Sequence, residues 1–371
     1  MYKRCNYDLE YDIINQDRGE FMTKKKRKKR YHLKMGVIKF IVYFTFFLIV
    51  GIYAYKEGTK IHNEYLYQQT NEYKLSEVGY SKTEVSLLLE KLSKERIEQI
   101  LNEPYNEAYY LILSQKYYLD KNLDKYLEYA QYHIDDKIEI ELNSEEMSEE
   151  EQEKYIKEEK YKRFIAIINV HANEGWYNVT YETNLADDYL ILVNKFYHLP
   201  DNYTRDDIKN ISLEYAYSNQ RAAEIVVNKF EEMRNKVLEE LNVHLMVNSS
   251  YRPYSEQNEL YTERKNLWGQ KQADMYAARP GHSEHQTALS IDITSLEHPY
   301  DTQFMESEEY NWLLNNAHKY GFILRYPKGK SDITGYSNES WHFRYVGEEV
   351  AKQIYEEGIT FDEYYAYYIE K

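Results

Sequence analysis

The sequence predicts an α+β fold: a small, mainly antiparallel sheet with flanking helices, preceded by an apolar helix and a small helical region. Three observations lead there. Residues 35–55 are apolar apart from Lys39. Residues 81–135 carry leucine, isoleucine and tyrosine at helical spacing. After residue 186 short alternating segments interleave with helical ones, in the order helix, strand, helix, two strand-like pieces, helix, strand, strand, which is an α+β pattern. The 371 residues suggest two or three domains at about 150 residues each. The boundaries expected are 1–34, a basic tail; 35–55, an apolar span; 56–185, a helical stalk and accessory region; and 186–371, the mixed domain.

Residues 21–35, FMTKKKRKKRYHLKM, hold eight Lys or Arg and no acid. The adjoining run MGVIKFIVYFTFFLIVGIYAY matches the roughly 20 residues of helix that cross a hydrocarbon core of about 30 Å. Lys39 lies near one end, where its stem reaches the headgroups. The excess of positive charge before the span places residues 1–34 in the cytoplasm and 56–371 outside. A cleaved signal peptide is the rival, but IYAYKEGTK lacks an A-x-A site. A buried core helix fits poorly beside so basic a flank.

The net charge is −16. Because basic residues crowd the N-terminus, the remainder is more acidic still and would repel phosphates, so no nucleic-acid partner is expected. The single Cys5 falls on the cytoplasmic side, leaving the exported part without disulfides or a thiol nucleophile.

Ser81 with Glu84 three residues on forms a capping-box pattern that starts the helical region. Residues 141–163 are a charge run, read as a solvated helix or loop. Residues 211–241 read as one amphipathic helix, with Ala222, Val226, Phe230, Met233 and Val237 on its apolar stripe. Val243, Leu245 and Val247 alternate as a strand does. Residues 295–324 read as loop, helix, then a strand from Phe322.

The chemistry concentrates in RPGHSEHQTALSIDIT (279–294) and ESWHFRYVG (339–347). In a strand over ALSIDIT, Ser290, Asp292 and Thr294 share one face. In WHFRYVG, His342 and Arg344 share one face. Neighbouring strands would bring Asp292 and His342 together, with His285 on the preceding turn. Two histidines and a carboxylate suit a tetrahedral Zn2+ site with one open position, where the pKa of water falls towards about 7. Glu339 reaches this site if the chain bends at Glu339–Ser340; it would then act as general base and acid. Arg252, in SSYRPYSEQ, would stabilise an oxyanion or hold a carboxylate. By spacing alone, surface histidines beside a salt-bridged Asp remain an open alternative.

SEHQTALSID with ESWH resembles the zinc D-alanyl-D-alanine carboxypeptidases of bacterial peptidoglycan, whose pattern is S-x-H-x-x-G-x-A-x-D followed by E-x-W-H. SSYRPYSEQ, YAARPGHSEHQ, YGFILRYPKGK and TGY extend the resemblance over roughly residues 187–350. It implies the zinc peptidase fold, with zinc ligands His285, Asp292 and His342, catalytic Glu339 and Arg252, and Ser283, Gln257 and Tyr336 at the substrate cleft. It further implies removal of the C-terminal D-Ala of peptidoglycan stem peptides by a D,D cut, with an L,D cut, endopeptidase action and non-catalytic wall binding as alternatives. The motif glycine is Ala288 here, tolerable unless that residue needs positive φ, and the motif alanine is Ser290, on the ligand-side face, where its hydroxyl can find a polar partner. His282 and His244 read as ordinary polar residues, Trp341 and Trp312 as packing residues, and Arg325 and Arg344 as structural ion pairs first.

Overall fold

The computed structural model describes residues 35–137 and 147–370. The basic tail, Cys5 and the start of the acidic run lie outside the described residues.

The chain divides into two compact units, to Asn71 and from Glu72. In the first, the described residues belong to helix α1 (Met35–Val78). Its side chains Phe40, Phe44, Phe47, Ile49 and Tyr53 are exposed, and it is long and apolar enough to cross a membrane by length and composition.

The second unit begins with five helices: α2 (Lys82–Lys91), α3 (Lys94–Ile100), α4 (Ala108–Leu113), α5 (Leu123–His133) and α6 (Glu149–Asn169). The Ser81–Glu84 capping box is formed in both directions. A second box, Ser148–Glu151, starts α6 and satisfies backbone N–H groups that a helix start leaves bare. Leu88, Ile97, Leu111, Tyr126, Phe164 and Ile168 make their common core.

Two short pairs follow. β1 (Tyr181–Glu182) runs parallel to β2 (Tyr197–His198), and β3 (Ile208–Asn210) antiparallel to β4 (Arg221–Ala223). The long helix expected over 211–241 is α7, Glu224–Leu241, only. Residues 211–223 instead turn back into β4: Ser212 Oγ accepts from the Glu214 N–H, and Ser250 Oγ accepts from the Arg221 N–H. Short polar side chains that bond nearby backbone favour turns over helix interior. Ala222 is buried as expected, but from a strand.

The main sheet holds β5 (Leu245–Ser249), β6 (Ser290–Ser295), β7 (Phe322–Leu324) and β8 (His342–Tyr345), in spatial order β5-β6-β8-β7 with every pairing antiparallel. α8 (Tyr254–Trp268) and α9 (Gln270–Tyr276) lie between β5 and β6 in sequence, and α10 (Asp301–Phe304) and α11 (Glu308–Asn316) between β6 and β7. α12 (Ser331–Thr334), α13 (Glu348–Glu357) and α14 (Phe361–Tyr364) complete the α-helices among the described residues. Leu289, Ile291, Ile293, Phe343 and Tyr345 pack with Val226, Phe230 and Met233 of α7 in one core. Truncating a buried aromatic such as Phe343 to Ala would cost about 3–5 kcal/mol. Another core joins Ile167 of α6 to Ile323, Val346, Ile354 and Phe361.

Candidate metal centre and cleft

β6 and β8 are neighbours, and Asp292 stands directly opposite His342 in the ladder. Their side chains therefore leave the sheet on the same face, and Asp292 Oδ1 lies 3.0 Å from His342 Nδ1. His285 sits on the 3-10 turn Glu284–Thr287 that leads into β6, with its Nε2 3.5 Å from Asp292 Oδ2. One ligand atom from each of the three lies within 4.8 Å of the others, and all three residues are buried.

Partners on the far side of each ring fix which nitrogen faces the centre. His285 Nδ1–H donates to the Ser250 carbonyl (2.7 Å), which can only accept, so Nε2 keeps its lone pair. His342 Nε2 faces Glu284 Oε2 at 3.4 Å and leaves Nδ1 towards Asp292. Such outer hydrogen bonds orient metal-ligating histidines. The donor set fits Zn2+: two imidazoles and one carboxylate, closely spaced and open on one side. Burial drives His285 down to about 4, favouring the neutral ring a metal needs. Burial works the same way on His342, but hydrogen bonds to Asp292 and Glu284 overcome it and lift the ring to about 9. Burial would raise Asp292, yet the two imidazoles hold it below the usual range.

Glu339 precedes β8 on a turn whose His342 N–H donates to the Glu339 carbonyl (3.2 Å). The bend expected there brings Glu339 Oε2 to 3.8 Å from His342 Nδ1. Burial, against the pull of His342, raises its carboxyl to about 7. Arg252 is held by Gln257 Oε1 (2.8 Å) and Ser249 Oγ (2.9 Å). Gln257 in turn donates to the Ala278 carbonyl at 2.7 Å, so it braces Arg252 as well as facing the cleft. Arg252, Gln257 and Glu339 line the cleft together with Ser283 and Tyr336.

The sequence reading missed Glu284 and Tyr326. Glu284 is fully buried, accepting from Arg325 Nε (2.7 Å) and an Arg344 NH group (3.0 Å). Burial pushes its carboxyl up, but the guanidiniums hold it far below the usual range. Arg325 also pairs with Asp362. The position of Glu284 next to His285 was the available signal. Tyr326 sets its ring 5.1 Å from that of His342.

Ala288 does adopt positive φ, 59°, so the motif glycine position is left-handed and the extra methyl is strained there. Ser290 Oγ is buried with no hydrogen-bond partner among the described residues, against the expectation of one. His282 is half-buried and bonded to the Asn194 carbonyl, and His244 pairs with Glu297.

The family model for D-alanyl-D-alanine carboxypeptidase matches residues 219–348. Similar proteins include YodJ of Bacillus subtilis, 36% identical over 189 residues, 48% of this chain and 67% of that protein. Another is a D-alanyl-D-alanine carboxypeptidase of Enterococcus faecium, 33% identical over 212 residues, 54% of this chain and 66% of that one. The chain thus spans about two thirds of the length of these relatives. Among solved structures, the LdcB LD-carboxypeptidase is 34% identical over 51% of this chain and 90% of its own, TM-score 0.48. A vancomycin-resistance D,D-pentapeptidase VanY in complex with Zn(II) is 32% identical over 47% and 98%, TM-score 0.40.

Proposed function

This chain belongs to the D-alanyl-D-alanine carboxypeptidase family, and on that premise we propose that it is a membrane-anchored, zinc-dependent D-alanyl-D-alanine carboxypeptidase. Its substrate would be the C-terminal D-Ala of peptidoglycan stem peptides. The observation that carries the reading is the close meeting of His285, Asp292 and His342 with Glu339 beside them. Residues 186–371 would form the zinc D-Ala-D-Ala peptidase domain, with 56–185 as the accessory region. The apolar span 35–55 would anchor it, which the length and exposure of α1 support; the basic run of 21–35 is the ground for putting the tail 1–34 in the cytoplasm and the cleft outside.

His285, Asp292 and His342 would hold Zn2+. When bound, the ion supplies Lewis-acid polarisation of the scissile carbonyl and lowers the pKa of water. Glu339 takes the proton of the attacking water as its oxygen bonds to the carbonyl carbon. When the C–N bond breaks, Glu339 returns that proton to the leaving amine of D-Ala. A carboxyl that burial raises above the usual range suits both transfers. Arg252, preset by Gln257 and Ser249, offers its guanidinium to the developing oxyanion or to the terminal carboxylate. Ser283 and Tyr336 would contact the peptide.

The test is full-length protein in detergent, zinc-loaded, with stem pentapeptide and tetrapeptide, followed by mass spectrometry. Loss of D-Ala from the pentapeptide is expected. Loss from the tetrapeptide alone would make it an L,D-carboxypeptidase. No loss from either, with zinc bound, would overturn the carboxypeptidase reading.

A further inference from the structure

The loop 327–339 carries two cleft residues, Tyr336 and Glu339, yet its supports come from elsewhere. Arg163 of α6 donates from Nε to Asp332 Oδ2 (2.8 Å), and its NH2 group also reaches Asp332 and the Gly329 carbonyl. A planar guanidinium gripping a carboxylate in this forked manner fixes direction as well as distance. At Gly335 (φ +78°), the Trp176 ring sits so close that an added Cβ would lie 3.1 Å from it. The buried Lys195 ammonium donates to the Gly335 carbonyl and lies 4.3 Å from the Tyr336 ring centroid.

Tyr177 completes the grip. Its hydroxyl lies 3.3 Å from the Tyr336 hydroxyl and accepts from the Arg279 N–H at 3.3 Å. The Arg279 guanidinium covers its ring at 4.0 Å. Tyr177 holds φ 63°, a costly conformation for a bulky residue, which persists only where surroundings over-determine it. His171 also has positive φ, 64°, in the same short connection out of α6. None of Arg163, Trp176, Tyr177 and Lys195 lies within the family-matched residues 219–348.

We infer that Arg163, Trp176 and Tyr177 are positioning residues, through which the accessory region holds the 327–339 loop so that Tyr336 and Glu339 face the cleft. The inference rests on the reading of that cleft as the peptidase site. The metal-binding residues stand on β6, β8 and the turn before β6, so loosening the loop leaves them in place. The accessory region is then part of the enzyme's working geometry.

The experiment uses the full-length, zinc-loaded protein and three variants: Arg163→Asp, the charge swap Arg163→Asp with Asp332→Arg, and Tyr177→Phe. Three quantities are read: kcat and KM for D-Ala release, zinc affinity by chelator competition, and amide exchange of peptides covering 327–339 and β6. Arg163→Asp is expected to speed exchange in 327–339 but not in β6, and to lower kcat about tenfold with zinc affinity unchanged. The charge swap is expected to restore both exchange and kcat. Tyr177→Phe, which removes one oxygen, should lower kcat/KM about threefold by letting Tyr336 shift. Wild-type exchange and kinetics in Arg163→Asp and Tyr177→Phe would overturn the inference, as would faster exchange with unchanged kinetics. Should the unaltered protein release no D-Ala, the peptidase reading fails; unchanged loop exchange in the variants would sink the positioning inference by itself.

Discussion

Glu284 and Glu339 reach the same imidazole from two sides. Glu284 Oε2 stands 3.4 Å from His342 Nε2, and Glu339 Oε2 stands 3.8 Å from Nδ1. Glu284 is fully buried and Glu339 half-buried, yet burial ends in opposite results. Glu284 is gripped by Arg325 and Arg344, so it stays charged and immobile. Glu339 has no guanidinium bonded to it among the described residues, and Asp292 and Glu284 add to the push upward, towards about 7. Identical side chains thus differ through their neighbours: one is a fixed anion beside the ring, the other a carboxyl able to exchange its proton near neutrality.

The sharpest way to break this contrast is Glu339→Gln. It should cost about 10²–10⁴ in kcat, the span of general acid–base catalysis, with zinc affinity retained in a chelator competition. Near-normal turnover would mean that Glu339 moves no proton. Glu284→Gln should act the other way, weakening zinc affinity about 10- to 100-fold through the freed His342 ring. Calorimetric titration with zinc would read this, and wild-type affinity would contradict an aiming role.

A pH profile sharpens the same contrast. Glu339 must be ionised to accept a proton, so kcat/KM should fall as pH drops through its pKa. A cation beside it draws that value down from about 7. The acid limb of the zinc-loaded enzyme therefore belongs at or below about 7, and a limb well above it would exclude Glu339 as the base. Glu284 should leave no limb in that range. The smallest effect expected is at the turn carrying Glu284 and His285: Ala288→Gly should relieve left-handed strain and stabilise by about 1 kcal/mol, seen as a higher Tm. An unchanged or lower Tm would show that the strain is no larger than the entropy that glycine loses on folding.

The meeting of Asp292 with His342 was legible because strand alternation puts both on one face, and a pair of apolar-alternating segments makes neighbours of them. The bend at Glu339 was legible because a regular strand could not serve it. Glu284 was not, since a glutamate in a polar run reads as exposed. Its burial depends on Arg325 and Arg344, more than 40 residues away, which periodicity does not reveal. The start of α7 was misjudged because the apolar stripe continues backwards through Ala222, while the turn chemistry of Ser212 and Ser250 decides the backbone. Tyr177 was invisible because its contact with Tyr336 spans 159 positions.

The direct pairing of Asp292 with His342 across β6 and β8 has a consequence for assembly of the protein. A one-residue slip between these strands would send one of the two side chains to the opposite face. A misregistered chain would then lack the site, while a correctly zipped one would gain stability from a bound zinc ion by mass action. The ion would thereby act as a proofreader of the sheet, rewarding one alignment and ignoring the others.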